Sequence, residues 1–121
     1  MIAASVGELD QPMPIPPDTP PATDNQGYLL HLHDWSPTVA QQLAAREGIQ
    51  LEPDHWQVIH TLRSFYISTG VSPATRILVK LVKRALGDAK GNSIYLLQLF
   101  PNRPAKLASK IAGLPKPTNC L

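Results

Sequence analysis

Residues 53–87 read PDHWQVIHTLRSFYISTGVSPATRILVKLVKRALG, and their punctuation decides the fold class. Pro53 and Asp54 open a pattern in which Trp56, Val58, Ile59, Leu62, Phe65 and Tyr66 recur at helical spacing, as far as Thr69. Gly70 supplies the stop, because the residue just past a helix often turns left-handed and glycine does so without a side-chain penalty. Ser72-Pro73 then repeats a start signal: an oxygen to cap free amides, and a proline where no amide is needed. Ile77, Leu78, Leu81, Val82 and Ala85 form a broad apolar stripe that Gly87 ends. Two helices joined by a tight Gly70-Val71 turn are expected, a helix-turn-helix-like pair.

Outward from this pair the same grammar continues. On its N-terminal side, Ser36-Pro37 opens a helix that Gly48 closes, with Val39, Ala40, Leu43 and Ala44 as its apolar face. On its C-terminal side, Asn92 opens a fourth helix carrying Ile94, Leu96, Leu97 and Phe100 before Pro101. A fifth starts at Asn102, carries Leu107, Ala108 and Ile111, and ends at Gly113, with Pro115 preventing its return. Gly27-Tyr28-Leu29-Leu30-His31-Leu32-His33 alternates in part and reads as a short strand, half of a hairpin. The expected fold is α+β: an array of about five helices with a small antiparallel β element near the N-terminus. Residues 1–22, dense in proline, read as a flexible head, 23–113 as the domain, and 114–121 as a mobile C-terminal arm.

At 121 residues the chain suits one compact domain, and 43% apolar residues suffice for a core. No apolar run is long enough to span a bilayer, and the N-terminus lacks the basic start and apolar stretch of a signal peptide. A cytoplasmic protein is expected. The net charge of +2 hides an asymmetry: residues 1–35 carry five acidic residues and no Lys or Arg, and all eleven basic residues follow. A basic body suits an acidic partner, protein or RNA.

The single cysteine, Cys120, excludes an intramolecular disulfide and a cysteine-based zinc cluster. His31 and His33 would share a strand face and His55 and His60 fall on different helix faces, so no metal or other cofactor is expected. Pro115 and Pro117 favour an extended chain, which places Cys120 on a short, semi-stiff arm able to enter another protein's pocket. Arg103, Lys106, Lys110 and Lys116 favour a reactive thiolate, and the carboxylate of Leu121 opposes it.

The chain also resembles the sulfur-relay family that contains TusE and DsrC. The resemblance rests on Thr23-Asp24-Asn25-Gln26-Gly27-Tyr28-Leu29, Glu47-Gly48-Ile49, His55-Trp56, Arg63-Ser64-Phe65-Tyr66 and Ser72-Pro73-Ala74-Thr75-Arg76. It continues through Lys90-Gly91-Asn92-Ser93 and Leu99-Phe100-Pro101 to Lys110-Ile111-Ala112-Gly113-Leu114-Pro115-Lys116-Pro117 and Cys120. It implies that Cys120 carries sulfur as a persulfide. The two-cysteine DsrC proteins have a second cysteine where this chain has Ser109, which moves the resemblance toward TusE. The implied partners are a TusBCD-like donor complex and a tRNA-thiolating enzyme that makes 2-thiouridine, with tRNA in the acceptor complex. Arg63, Arg76, Lys110 and Lys116 are candidates to line the docking surface for the tail.

Two other readings use the same residues. One is a one-cysteine DsrC-like protein of sulfur oxidation. The other is a DNA-binding or regulatory module in which Arg76, Lys80, Lys83 and Arg84 line one face of the third helix and the tail thiol senses redox state. That stripe suits partner docking better than DNA reading, since the small excess of positive charge is weak for a nucleic-acid binder.

Overall fold

The computed structural model describes residues 21–117; the head before Pro21 and the last four residues, including Cys120, lie outside that range. Five helices follow in order: α1 (Pro37–Arg46), α2 (Pro53–Thr69), α3 (Thr75–Leu86), α4 (Ser93–Leu99) and α5 (Pro104–Ile111). Several begin and end as the local chemistry dictates. Ser36 Oγ accepts the Val39 amide at 3.2 Å, with Pro37 as the first residue of α1. Asn92 Oδ1 accepts the Tyr95 amide at 2.8 Å at the head of α4. Gly70, at φ 72°, stops α2 by turning left-handed.

The eight-residue α5 is the hub, packing against all four other helices. Its Ala105, Ala108, Ser109 and Ile111 are buried, and three of these four side chains are small enough to let neighbouring helices approach closely. Around it lie Val58, Ile59 and Leu62 of α2, Leu78 and Val82 of α3, and Leu96 and Phe100 from α4 and its end, all fully buried. His55 is buried too. Its Nδ1 accepts the Glu52 amide at 2.9 Å, so Nε2 must carry the proton that it donates to the Leu99 carbonyl at 3.0 Å. The ring meets Phe100 edge-on at 5.3 Å, tying the start of α2 to the end of α4.

Four local expectations are corrected. First, α3 begins at Thr75, not at Ser72-Pro73. Ser72 and Pro73 are buried, and Ser72 Oγ has no hydrogen-bond partner among the described residues, so packing of this segment has overridden its capping signal. The link after α2 therefore spans residues 70–74 and is not a two-residue turn. Second, α5 begins at Pro104, because Asn102 stands at φ 74° and turns the chain before the helix can start. Third, the stripe on α3 narrows to Leu78 and Val82, with Ile77 and Ala85 exposed. On α4, Ile94 and Leu97 are likewise exposed, since fewer than two turns offer the core a single row.

The fourth concerns the β element. Among the described residues no strand forms; a single antiparallel bridge pairs Thr23 with Leu29. Asp24 N–H donates to the Tyr28 carbonyl at 2.8 Å, and Leu30 N–H to the Ala22 carbonyl at 3.0 Å. The Asp24 carboxylate accepts the amides of Gln26 and Tyr28, which curls the loop tightly. Beyond it the chain enters a 3-10 turn, Leu32–Asp34, whose residues are exposed, so the alternation at 27–33 has no core face to serve. His31 and His33 flank Leu32 at this turn, ring centres 5.9 Å apart, and share no strand face.

Candidate functional site at the root of the C-terminal arm

A helix end leaves carbonyls without partners, and α5 ends where the arm begins. Gly113 N–H donates to the Lys110 carbonyl at 3.1 Å and Leu114 N–H to the Ser109 carbonyl at 2.9 Å, the paired bonds of a Schellman ending. Two side chains from distant parts of the sequence take the carbonyls of the last turn. Trp35 Nε1 donates to the Ile111 carbonyl at 3.0 Å, and Arg63 Nη1 to the Ala112 carbonyl at 2.6 Å. The Arg63 guanidinium also stacks 3.8 Å from the centre of the Trp35 ring. Burial pulls Arg63 below its ordinary value, which lies so far above neutrality that the group stays charged. A cation here also faces the negative end of the α5 dipole.

Gly113 completes this clamp for two separate reasons. Its φ of 73° lies in the left-handed region, and a Cβ at this position would stand 2.3 Å from Trp35 Cδ1. Leu114 and Pro117 are buried, so the segment after α5 stays packed on the body as far as Pro117. Cys120 follows Pro117 by three residues, at most about 10–11 Å of extended chain.

Beside the arm's root lies a cleft of about 500 Å³. Arg103, Lys106, Lys110 and Lys116 line it, against one carboxylate, Glu47. Lys110 is committed inside the protein: its Nζ pairs with Glu47 at 3.1 Å and lies 5.3 Å from the centre of the Tyr28 ring. The Tyr28 hydroxyl donates to the Lys106 carbonyl at 3.4 Å, fixing the N-terminal loop to α5. In that loop the Tyr28 amide, followed by the Gln26 amide and the charge of Lys110, holds the Asp24 carboxyl below its usual range. Arg103, Lys106 and Lys116 have no carboxylate partner among the described residues.

The candidate residues therefore separate into distinct places. Cys120 lies outside the described residues. Lys116 and Lys110 line the cleft, and Arg63 belongs to the clamp. Arg76 stands exposed on α3 and is part of neither, alongside Lys80, Lys83 and Arg84, which are also exposed. Ser109 is fully buried in α5, and its hydroxyl has no partner among the described residues. Among those residues no three His, Cys, Asp or Glu side chains are grouped to hold a metal, and no helix is long and apolar enough to cross a membrane.

The sequence reading misses Trp35, although an aromatic residue directly before a Ser-Pro cap is a recognisable position for a helix staple. The cleft has a clearer signal: Arg103, Lys106 and Lys110 fall three and four apart, on one face of α5.

Comparison with known proteins gives a consistent result. The family model described as DsrC like protein matches residues 18–121. Sulfurtransferase TusE of Sodalis glossinidius is 59% identical over 100 residues, covering 83% of this chain and 93% of that protein. Sulfurtransferase TusE of Escherichia coli is 50% identical over 99 residues, covering 82% and 91%. Among solved structures, the solution structure of Allochromatium vinosum DsrC superposes with a TM-score of 0.76 at 48% identity, covering 83% of this chain and 89% of the other. The oxidised γ-subunit of dissimilatory sulfite reductase (DsrC) from Archaeoglobus fulgidus gives a TM-score of 0.72 at 40% identity, covering 83% and 91%.

Proposed function

The chain belongs to the family of DsrC-like proteins, and from that membership we propose that it is a sulfurtransferase carrying sulfur as a persulfide on Cys120. The observation that supports this most is the clamped root. Trp35, Arg63 and Gly113 fix the point from which the arm departs, and the chain's one thiol follows within a short reach. A fixed origin limits the volume the thiol samples and raises its effective concentration at a partner docked on the body.

The chemistry needs no cofactor. Cys120 thiolate attacks the outer sulfur of a donor persulfide; the new S–S bond forms at Cys120 Sγ, and the donor's S–S bond breaks, releasing its thiolate. The persulfide proton stays with the transferred sulfur or exchanges with solvent. An acceptor cysteine thiolate then attacks that outer sulfur, and Cys120 leaves as thiolate. With a single cysteine the protein can form no internal disulfide, so each exchange involves another molecule. Each chain holds one transferable sulfur at a time on its single thiol, so it acts as a stoichiometric carrier in each transfer and is restored for the next.

The names of the TusE relatives support a sulfurtransferase role. Within it we take a TusBCD-like complex as donor and an enzyme that makes 2-thiouridine in tRNA as acceptor, in the cytoplasm, as the family resemblance of the sequence implies. In cells lacking this protein, tRNA 2-thiouridine should be lost. The wild-type chain should restore it and Cys120→Ser should not; restoration by Cys120→Ser would refute the reading. The exposed basic face of α3 favours a second reading, a nucleic-acid-binding module. That reading gains if Cys120→Ala keeps the cellular role and combined loss of Arg76, Lys80 and Arg84 removes it.

A further inference from the structure

We propose that the basic cleft between the N-terminal loop and α5 is the docking site for a carboxylate-bearing segment of the sulfur-donor protein; this rests on the carrier reading above. Four cations converge on a single concavity with one carboxylate, and that carboxylate is already paired with Lys110. Arg103, Lys106 and Lys116 remain as donors without an acidic partner among the described residues. Arg103 caps α5 and Lys106 sits in its first turn, so the positive end of that helix adds to the field. A concentration of unneutralised cations in a cleft attracts acidic groups and speeds encounter.

Position says why such a partner belongs to the transfer step. Lys116 is at once a wall of the cleft and part of the arm, four residues before Cys120. A segment seated here lies within about 13–14 Å of extended chain from the thiol. The floor is also built to hold its shape. Tyr28 is tied to the Lys106 carbonyl, and the Lys110 side chain lies against Gly27 with its ammonium 5.3 Å from the centre of the Tyr28 ring.

The donor fits this chemistry better than the acceptor does. An enzyme that thiolates tRNA must present positive charge to its nucleic acid, and that face would repel these cations. A nucleic acid itself repeats its charge along an open track, whereas here the cations surround one pocket.

The test is the initial rate of persulfide formation on Cys120 of the full chain, read by intact mass at several carrier concentrations. One arm uses a desulfurase-charged TusBCD-type complex as donor, and a second uses glutathione persulfide. Arg103→Glu with Lys106→Glu should cut the second-order rate from the protein donor about tenfold or more at low salt. The loss should shrink at high salt, and the milder Arg103→Gln with Lys106→Gln pair should fall between. Loading by glutathione persulfide, which reads any effect of these cations on the thiolate itself, should fall several-fold less than loading by the protein donor. Arg84→Glu, a charge reversal outside the cleft, separates local docking from net charge.

Unchanged loading by the protein donor would overturn the proposal and leave the carrier reading intact. Equal losses with both donors would also overturn it, placing the effect on the thiol or the chain's own tail. A loss confined to discharge toward the tRNA-thiolating enzyme would overturn it in favour of the acceptor or RNA. Failure of the wild-type chain to load from either donor would refute the carrier reading and the proposal with it.

Discussion

Replacing Gly113 by alanine should damage the clamp far more than the same change at Gly70, although both residues sit at nearly the same backbone angle. Gly70 has φ 72° and open space where a methyl group would stand, whereas at Gly113, with φ 73°, that methyl would lie 2.3 Å from Trp35 Cδ1. Both variants bear the left-handed penalty of a non-glycine residue, about 1 kcal/mol. Only Gly113→Ala must also displace Trp35. That removes the indole bond to the Ile111 carbonyl, about 1 kcal/mol. It also loosens the stack with Arg63, about 1 kcal/mol more in a half-buried setting. We therefore expect Gly113→Ala to cost about 3 kcal/mol and Gly70→Ala about 1 kcal/mol. Urea unfolding at equal slope gives the free energies, and thermal melts should fall by roughly 15 °C and 5 °C respectively. Equal losses in the two variants, within about 0.5 kcal/mol, would refute the packing argument, because the shared backbone term would then account for everything.

Ser109→Ala should be neutral or stabilising by up to about 1 kcal/mol, since it removes a fully buried hydroxyl with no described partner; a clear loss in denaturant unfolding would show that the hydroxyl is satisfied. His55 should be the Nε2–H tautomer in nitrogen-15 correlation spectra at neutral pH, because Nδ1 accepts the Glu52 amide, and the Nδ1–H form would contradict this account of the start of α2. Asp24 has its carboxyl held below its ordinary value, so its contribution is fully present above pH 3.8 and fades as the pH falls through the lowered folded value. Wild type should therefore melt above Asp24→Asn at pH 5, and the gap should close in more acidic buffer; a gap that widens on acidification would reverse the sign of the argument.

Legibility in the sequence follows the range of the interactions. Gly70, Ser36-Pro37 and Asn92 are readable because a cap or stop is decided by neighbours within a turn. Ser72-Pro73 looks like a cap of the same kind, but its burial depends on helices the local pattern does not see. Periodicity alone assigns Ile77, Ile94 and Leu97 to the core, and periodicity cannot tell how many neighbours a helix has. The clamp is least legible. Trp35 bonds to a carbonyl 76 positions away and Arg63 to one 49 positions away, so nothing nearby in the chain announces either contact. The cleft is half visible: its cations read as company for the thiol, but their convergence depends on the Tyr28 loop folding over α5. The expected hairpin shrinks to one bridge because the Asp24 turn is too tight and its continuation too exposed to extend a ladder.

The most direct test of the carrier account is the intact mass of the wild-type chain and of Cys120→Ser after incubation with a cysteine desulfurase, cysteine and a TusBCD-type complex shown to be loaded. The wild type should gain the mass of sulfur, a reductant should remove it, and the variant should gain none. A wild-type chain that stays unmodified beside a loaded donor, or a variant that gains the same mass, would contradict the account.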